Sequence, residues 1–132
     1  MSQEQHILVP VAPGELIDKL TILEIKLENI KDHEKLKNIS YEKNILEATL
    51  LEKINSSEAL TTLRKNLKEI NHKLWIIEDD IRDCERKKIF DQPFIDLARA
   101  VYYTNDQRCE IKREINCLLG SQIQEEKSYQ AY

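Results

Sequence analysis

Leu63-Arg64-Lys65-Asn66-Leu67-Lys68-Glu69-Ile70-Asn71-His72-Lys73-Leu74-Trp75-Ile76-Ile77-Glu78-Asp79-Asp80-Ile81-Arg82-Asp83-Cys84 decides the fold class. Leu63, Leu67, Ile70, Leu74, Ile77, Ile81 and Cys84 are spaced alternately by four and three residues. That spacing returns each apolar side chain to one stripe of an α-helix and makes the seam of a bundle or coiled coil. The helix expected here runs from Glu58 to about Lys88, on the order of 45 Å at a rise of ~1.5 Å per residue. Such a length argues for an elongated hairpin or a dimer.

The same pattern extends outward in both directions. Upstream, Leu16, Leu20, Leu23, Leu27 and Ile30 repeat the spacing in a helix expected from Gly14 to Glu34. Ile17, Ile22 and Ile25 lie off that seam, so this helix is either central in the fold or packed against a second chain. Ser40 offers an N-cap for a helix from Tyr41 to Ile54, and Asn55-Ser56-Ser57 breaks it. Downstream, Phe90-Asp91-Gln92-Pro93 reads as a turn and a helix start, with Asp91 as cap, Pro93 in the first turn and Phe90 stapled onto Ile95. That last helix continues to Leu119, where Gly120 supplies the stop. Residues 1–13 contain Pro10 and Pro13 and favour an extended path. Residues 121–132 form a tail that either adds a short helix or wraps back. The expected fold is therefore all-α: a single domain, 1–132, built as an elongated bundle of about four long amphipathic helices.

Composition narrows the function. The 132 residues carry 41% hydrophobic and 33% charged side chains, enough to form a core. Two glycines and three prolines leave no room for a Gly-rich phosphate loop or a turn-rich β-sandwich. The net charge of −4 is spread over interleaved acids and bases, without the basic face that nucleic acid requires. No run approaches the roughly 20 apolar residues of a membrane span, and no signal peptide is evident. Cys84, Cys109 and Cys117 include no CxxC pair, so three buried, reduced thiols of a cytoplasmic protein are expected. Neither a metal nor a cofactor is expected.

Polar side chains interrupt one buried face. On the last helix, Leu97, Val101, Thr104, Ile111, Ile115 and Leu118 form an apolar arc at about 100° per residue, and Asn105, Arg108, Lys112 and Asn116 fall inside it. A charge removed from water costs several kcal/mol unless it is paired and hydrogen-bonded, so carboxylates should meet Arg108 and Lys112. The expected carboxylates are Glu78 and Glu85 on the third helix and Glu24 on the first. Glu24, Glu78, Glu85, Asn105, Arg108 and Lys112 thus form the candidate cluster. Two readings stand: a salt-bridge layer that fixes helix register, or a pocket in which Arg108, Lys112 and Asn105 hold a small anionic metabolite.

Other signals are weaker. Glu69-x-x-His72 has the spacing of half a di-iron motif but lacks its second half. Glu15-x-x-Asp18 resembles half the acidic pattern of helical nucleotide pyrophosphatases, without the second acidic group. Glu78-Asp79-Asp80 points in several directions along a helix. His6, His33 and His72 suggest no nucleophile–base constellation.

Pro13-Gly14-Glu15-Leu16-Ile17-Asp18-Lys19-Leu20-Thr21-Ile22-Leu23-Glu24-Ile25-Lys26 resembles the opening motif of a family of small bacterial proteins catalogued only as a domain of unknown function. Leu74-Trp75-Ile76-Ile77-Glu78-Asp79-Asp80-Ile81-Arg82 resembles a second motif. Phe94-Ile95-Asp96-Leu97-Ala98-Arg99 through Asn105-Asp106-Gln107-Arg108, and Glu125-Glu126-Lys127-Ser128-Tyr129, resemble two more. The resemblance covers nearly the whole chain apart from the second helix, and it implies no activity or site residues. The expected function is a non-enzymatic binding or assembly module acting as a homodimer, with no nucleic-acid or membrane partner. The alternative is an enzyme or binder for the small anionic ligand.

Overall fold

Four helices form where the apolar spacing requires them. The computed structural model describes residues 5–132, so residues 1–4 of the expected extended segment 1–13 lie outside it. Residues 5–12 are neither helix nor strand, Ala12 is extended, and α1 (Pro13–Asn29) begins with Pro13 in its first turn, followed by Glu15 where the helix dipole favours an acid. α2 (His33–Lys53), α3 (Glu58–Lys87) and α4 (Gln92–Leu118) follow. The fold is all-α, as the spacing predicts.

The first two helices divide earlier than expected. α1 stops at Asn29 rather than Glu34, and the Asn29 amide donates to the Ile25 carbonyl at 2.7 Å. α2 starts at His33 rather than Tyr41, because Asp32 caps it: its carboxylate accepts from the backbone N–H of Glu34 and Lys35 at 3.0 and 3.2 Å. Ser40 therefore sits inside α2. Ser57 caps α3, accepting from the Leu60 N–H at 3.1 Å. Asp91 occupies the N-cap position of α4 but makes no side-chain cap bond there. Phe90 packs edge-to-face on Phe94, with ring centres 5.5 Å apart. α4 ends before Gly120, whose φ of 66° is the left-handed turn that glycine tolerates best.

α1 is the central element and packs against each of the other three helices. Ile17 and Leu20 are fully buried, with Leu16, Leu50, Leu60, Leu67 and Ile115 around them. This explains why α1 is apolar on several sides: its second apolar face is covered within the chain. Each fully buried aliphatic side chain here contributes about 2 kcal/mol. α3 and α4 form the long antiparallel hairpin. No described helix is long and apolar enough to cross a membrane. All three thiols are free, but only Cys84 is buried. Cys109 is half-buried and Cys117 exposed, because Cys117 lies off the face that α4 turns to α1.

Candidate functional site

A polar ladder joins α1 to α4. Arg108, Lys112 and Asn116 recur every fourth residue along α4, so they share one face. α1 runs antiparallel to them and answers with Asp18, Glu15 and the Gly14 backbone. At the first rung, Asp18 is 1% exposed. Arg108 grips it with both prongs of its guanidinium: Nε donates to Oδ1 at 2.9 Å and Nη2 to Oδ2. From α3, the buried Asn71 amide donates to Asp18 Oδ1 at 2.8 Å and to the Thr21 hydroxyl at 2.9 Å. Thr21 in turn donates to the Asp18 carbonyl at 2.8 Å. Three helices thus meet on one carboxylate.

At the second rung, the buried Lys112 ammonium donates to Glu15 at 2.9 Å and to Glu125 of the C-terminal tail at 3.0 Å. At the third, the Gly14 N–H donates to Asn116 Oδ1 at 2.7 Å, which satisfies one of the free donors of the α1 N-terminus. α1 approaches α4 so closely here that a Cβ on Gly14 would lie 2.5 Å from the Lys112 carbonyl oxygen.

The electrostatics follow the geometry. The Asp18 hydrogen bond outweighs burial and raises the pKa of Arg108. Burial alone would lower that of Lys112, but its hydrogen bonds to Glu15 and Glu125 overcome this and the net shift is upward. The Lys112 hydrogen bond holds the Glu125 carboxyl below the usual carboxylate range. A lowered acid stabilises the fold above its unfolded-state pKa and stops doing so as pH falls through the folded value. Acidification should therefore loosen the tail. Amide exchange of residues 124–127, corrected for intrinsic pH dependence, should accelerate below about pH 4. Protection that persists through that range would show that the Glu125 contact does not hold the tail.

The expected acids lie elsewhere. Glu24 pairs with Arg64, which also donates to Glu47 at 3.1 Å, and with Lys68 at 3.4 Å. Glu78 pairs with Arg82 within α3 at 3.1 Å, and Glu85 with Lys88 at 3.3 Å. None of the three contacts Arg108 or Lys112. Glu78 nevertheless faces a shared space with two members of the cluster. A groove of about 460 Å³ opens between α1, α3 and α4, with Ile22, Ile25, Leu74, Trp75 and Val101 as apolar lining and Asn71, Glu78, Asp79, Arg82, Asn105 and Arg108 as polar lining. Lys112 is not part of it. Lys112 faces instead a cavity of about 120 Å³ beneath the tail, beside Cys109 and Glu125.

Asp18, Glu15 and Glu125, which meet Arg108 and Lys112, and Arg64, which meets Glu24, are partners that the helical wheel does not assign. Among the described residues no group of three His, Cys, Asp or Glu side chains is arranged around a metal position. The arrangement offers a groove for binding and a satisfied charge layer beside it.

The profile of one protein family matches residues 7–132, and its description is a family of unknown function (DUF6165). No curated protein and no solved structure matches the chain.

Proposed function

The chain belongs to this family of unknown function, and we propose that it is a non-enzymatic binding and assembly module that self-associates as a dimer. One observation carries this reading. The buried ions are satisfied within the chain, while the groove between α1, α3 and α4 leaves Ile22, Leu74, Trp75 and Val101 only partly covered. A second copy supplies the same apolar surface and long helices against which to bury it, in the isologous manner usual for dimers. The free thiols accord with the reducing cytoplasm of a bacterial cell.

Trp75 is the single tryptophan and lines the groove. Its emission should shift to longer wavelength as the protein is diluted through its dimer dissociation constant, in step with a fall in sedimentation coefficient. Val101→Glu, which places a charge in the groove, should give a monomer of unchanged helicity. A chain that sediments as a monomer at every micromolar concentration would defeat the dimer.

A second reading keeps the groove but gives it a small ligand. Asn105 has no hydrogen-bond partner among the described residues, and it lines the groove beside the guanidinium edge of Arg108. Because Asp18 already neutralises Arg108, the ligand favoured here has an apolar body and a polar end that need not be anionic. Saturable quenching of Trp75 by such a compound, with no change in sedimentation, would favour this reading over the dimer.

A further inference from the structure

The segment 121–132 has neither helix nor strand and lies back along α4. Its contacts run in reverse order along the helix, and each joins complementary chemistry. Glu125 reaches Lys112, and its carbonyl accepts from Arg113 at 3.2 Å. Glu126 also pairs with Arg113, at 3.5 Å. Lys127 pairs with Asp106 at 3.9 Å. The Tyr132 hydroxyl donates to Asp106, and its ring packs on Tyr102 and Tyr103 with centres 5.2 and 4.7 Å away.

The seat is better built than its occupant is fitted. Lys112 is buried within α4, whereas Glu125 and Glu126 are 49% and 75% exposed. A space of about 670 Å³ remains between the tail and α4, bounded by Tyr102, Asn105, Asp106, Tyr129 and Tyr132. Gln124 Oε1 is buried with no hydrogen-bond partner among the described residues, a cost that a well-matched ligand avoids. Exposed ion pairs of this kind are individually weak and screened by salt.

We infer that α4 from Tyr102 to Arg113 is a docking seat for an acidic, tyrosine-bearing peptide segment of a partner protein, and that residues 121–132 are its resident, displaceable occupant. Charge complementarity selects the partner: consecutive carboxylates for Lys112 and Arg113, and an aromatic ring for the Tyr102–Tyr103 pair. The tail excludes weaker competitors by its high effective concentration. This inference differs from self-association in using the face of α4 under the tail, which shares Asn105 with the groove.

Cys109 reports on the seat, because its thiol lies 3.9 Å from the Glu125 carboxylate. Buried Cys84 and exposed Cys117 serve as references in the same chain. Alkylation of the full chain by iodoacetamide, read by mass spectrometry at each cysteine, should accelerate at Cys109 by about tenfold in Glu125→Gln/Glu126→Gln, the weight of two or three weak pairs. The unsubstituted chain should show the same trend as salt shortens the screening length from ~10 Å to ~3 Å. Cys84 and Cys117 should hold their rates. A synthetic peptide with the sequence of residues 122–132 should restore protection of Cys109 in the variant, and the same peptide with both glutamates replaced by glutamine should not. A Cys109 rate unmoved by substitution and salt, or a peptide that gives no protection, would overturn the inference. If the variant unfolds, Cys84 will react as well, and the salt dependence of Cys109 in the unsubstituted chain then decides.

Discussion

Arg108→Leu is expected to lose about 3–5 kcal/mol of folding stability, the cost of removing one partner from a buried ion pair. A small domain has only about 5–15 kcal/mol in total, so the variant should unfold at much lower urea and show a reduced Tm. The loss comes from what is left behind. Asp18 is 1% exposed and would retain a single side-chain donor, Asn71. Leucine refills much of the volume of the arginine stem but returns neither charge nor hydrogen bonds. By contrast, breaking the exposed Arg82–Glu78 pair with Arg82→Ala should cost less than about 1 kcal/mol. The double variant Asp18→Leu/Arg108→Leu should regain a large part of the single loss, since an apolar pair needs no compensation. Urea titrations followed by circular dichroism measure all three. If Arg108→Leu stays within about 1 kcal/mol of the parent but no longer binds a ligand that quenches Trp75, then Arg108 serves binding and the register role is lost.

How far the sequence foretold this layer depended on the helix in question. α4 has one apolar arc, so the intrusion of Asn105, Arg108, Lys112 and Asn116 into it was visible on a helical wheel. An elongated hairpin was equally visible, and in the structure Glu78 of α3 and Asn105 of α4 line the same groove. The partners on α1 were not assigned, for a physical reason. α1 is apolar almost all round because it is central, so a wheel gives no single inward face against which Asp18 stands out. Glu15 and Asp18 attracted notice only as an acidic spacing. A better criterion was available: on a helix buried on several sides, any charged residue between apolar neighbours needs a partner, and at about 100° per residue Asp18 falls between Ile22 and the buried Ile25. The pairing itself depends on packing order, which single-helix periodicity does not encode. The division between α1 and α2 failed differently. Lys31-Asp32-His33 contains neither Gly nor Pro, and the break rests on Asp32 capping α2 and on the Asn29 amide taking a carbonyl at the end of α1. Side-chain hydrogen bonds of this kind compete with helix continuation.

Gly14→Ala should be the second most damaging single change, at about 2 kcal/mol, even though helix propensity alone would favour alanine by roughly 1 kcal/mol. The added Cβ would lie 2.5 Å from the Lys112 carbonyl oxygen, 3.2 Å from its carbon and 2.8 Å from Asn116 Oδ1. The first two contacts are with backbone inside α4, where the carbonyl is held by the helix and cannot swing aside. α1 must therefore retreat at its N-terminus. That movement stretches the Gly14 N–H bond to Asn116 and pulls Glu15 from Lys112, so the methyl disturbs two rungs of the ladder together. Two comparisons isolate this cause. Gly120→Ala meets nothing within 4 Å and carries only the strain of its φ of +66°, about 1 kcal/mol. Asn116→Ala removes the 2.8 Å contact but leaves the 2.5 Å one, so Gly14→Ala/Asn116→Ala should be no more stable than Gly14→Ala. If the double variant recovers, the side chain rather than the α4 backbone sets the limit of approach. If Gly14→Ala is as stable as the parent, α1 does not seat on α4 at this distance, and the short reach of Glu15 to Lys112 loses its structural basis.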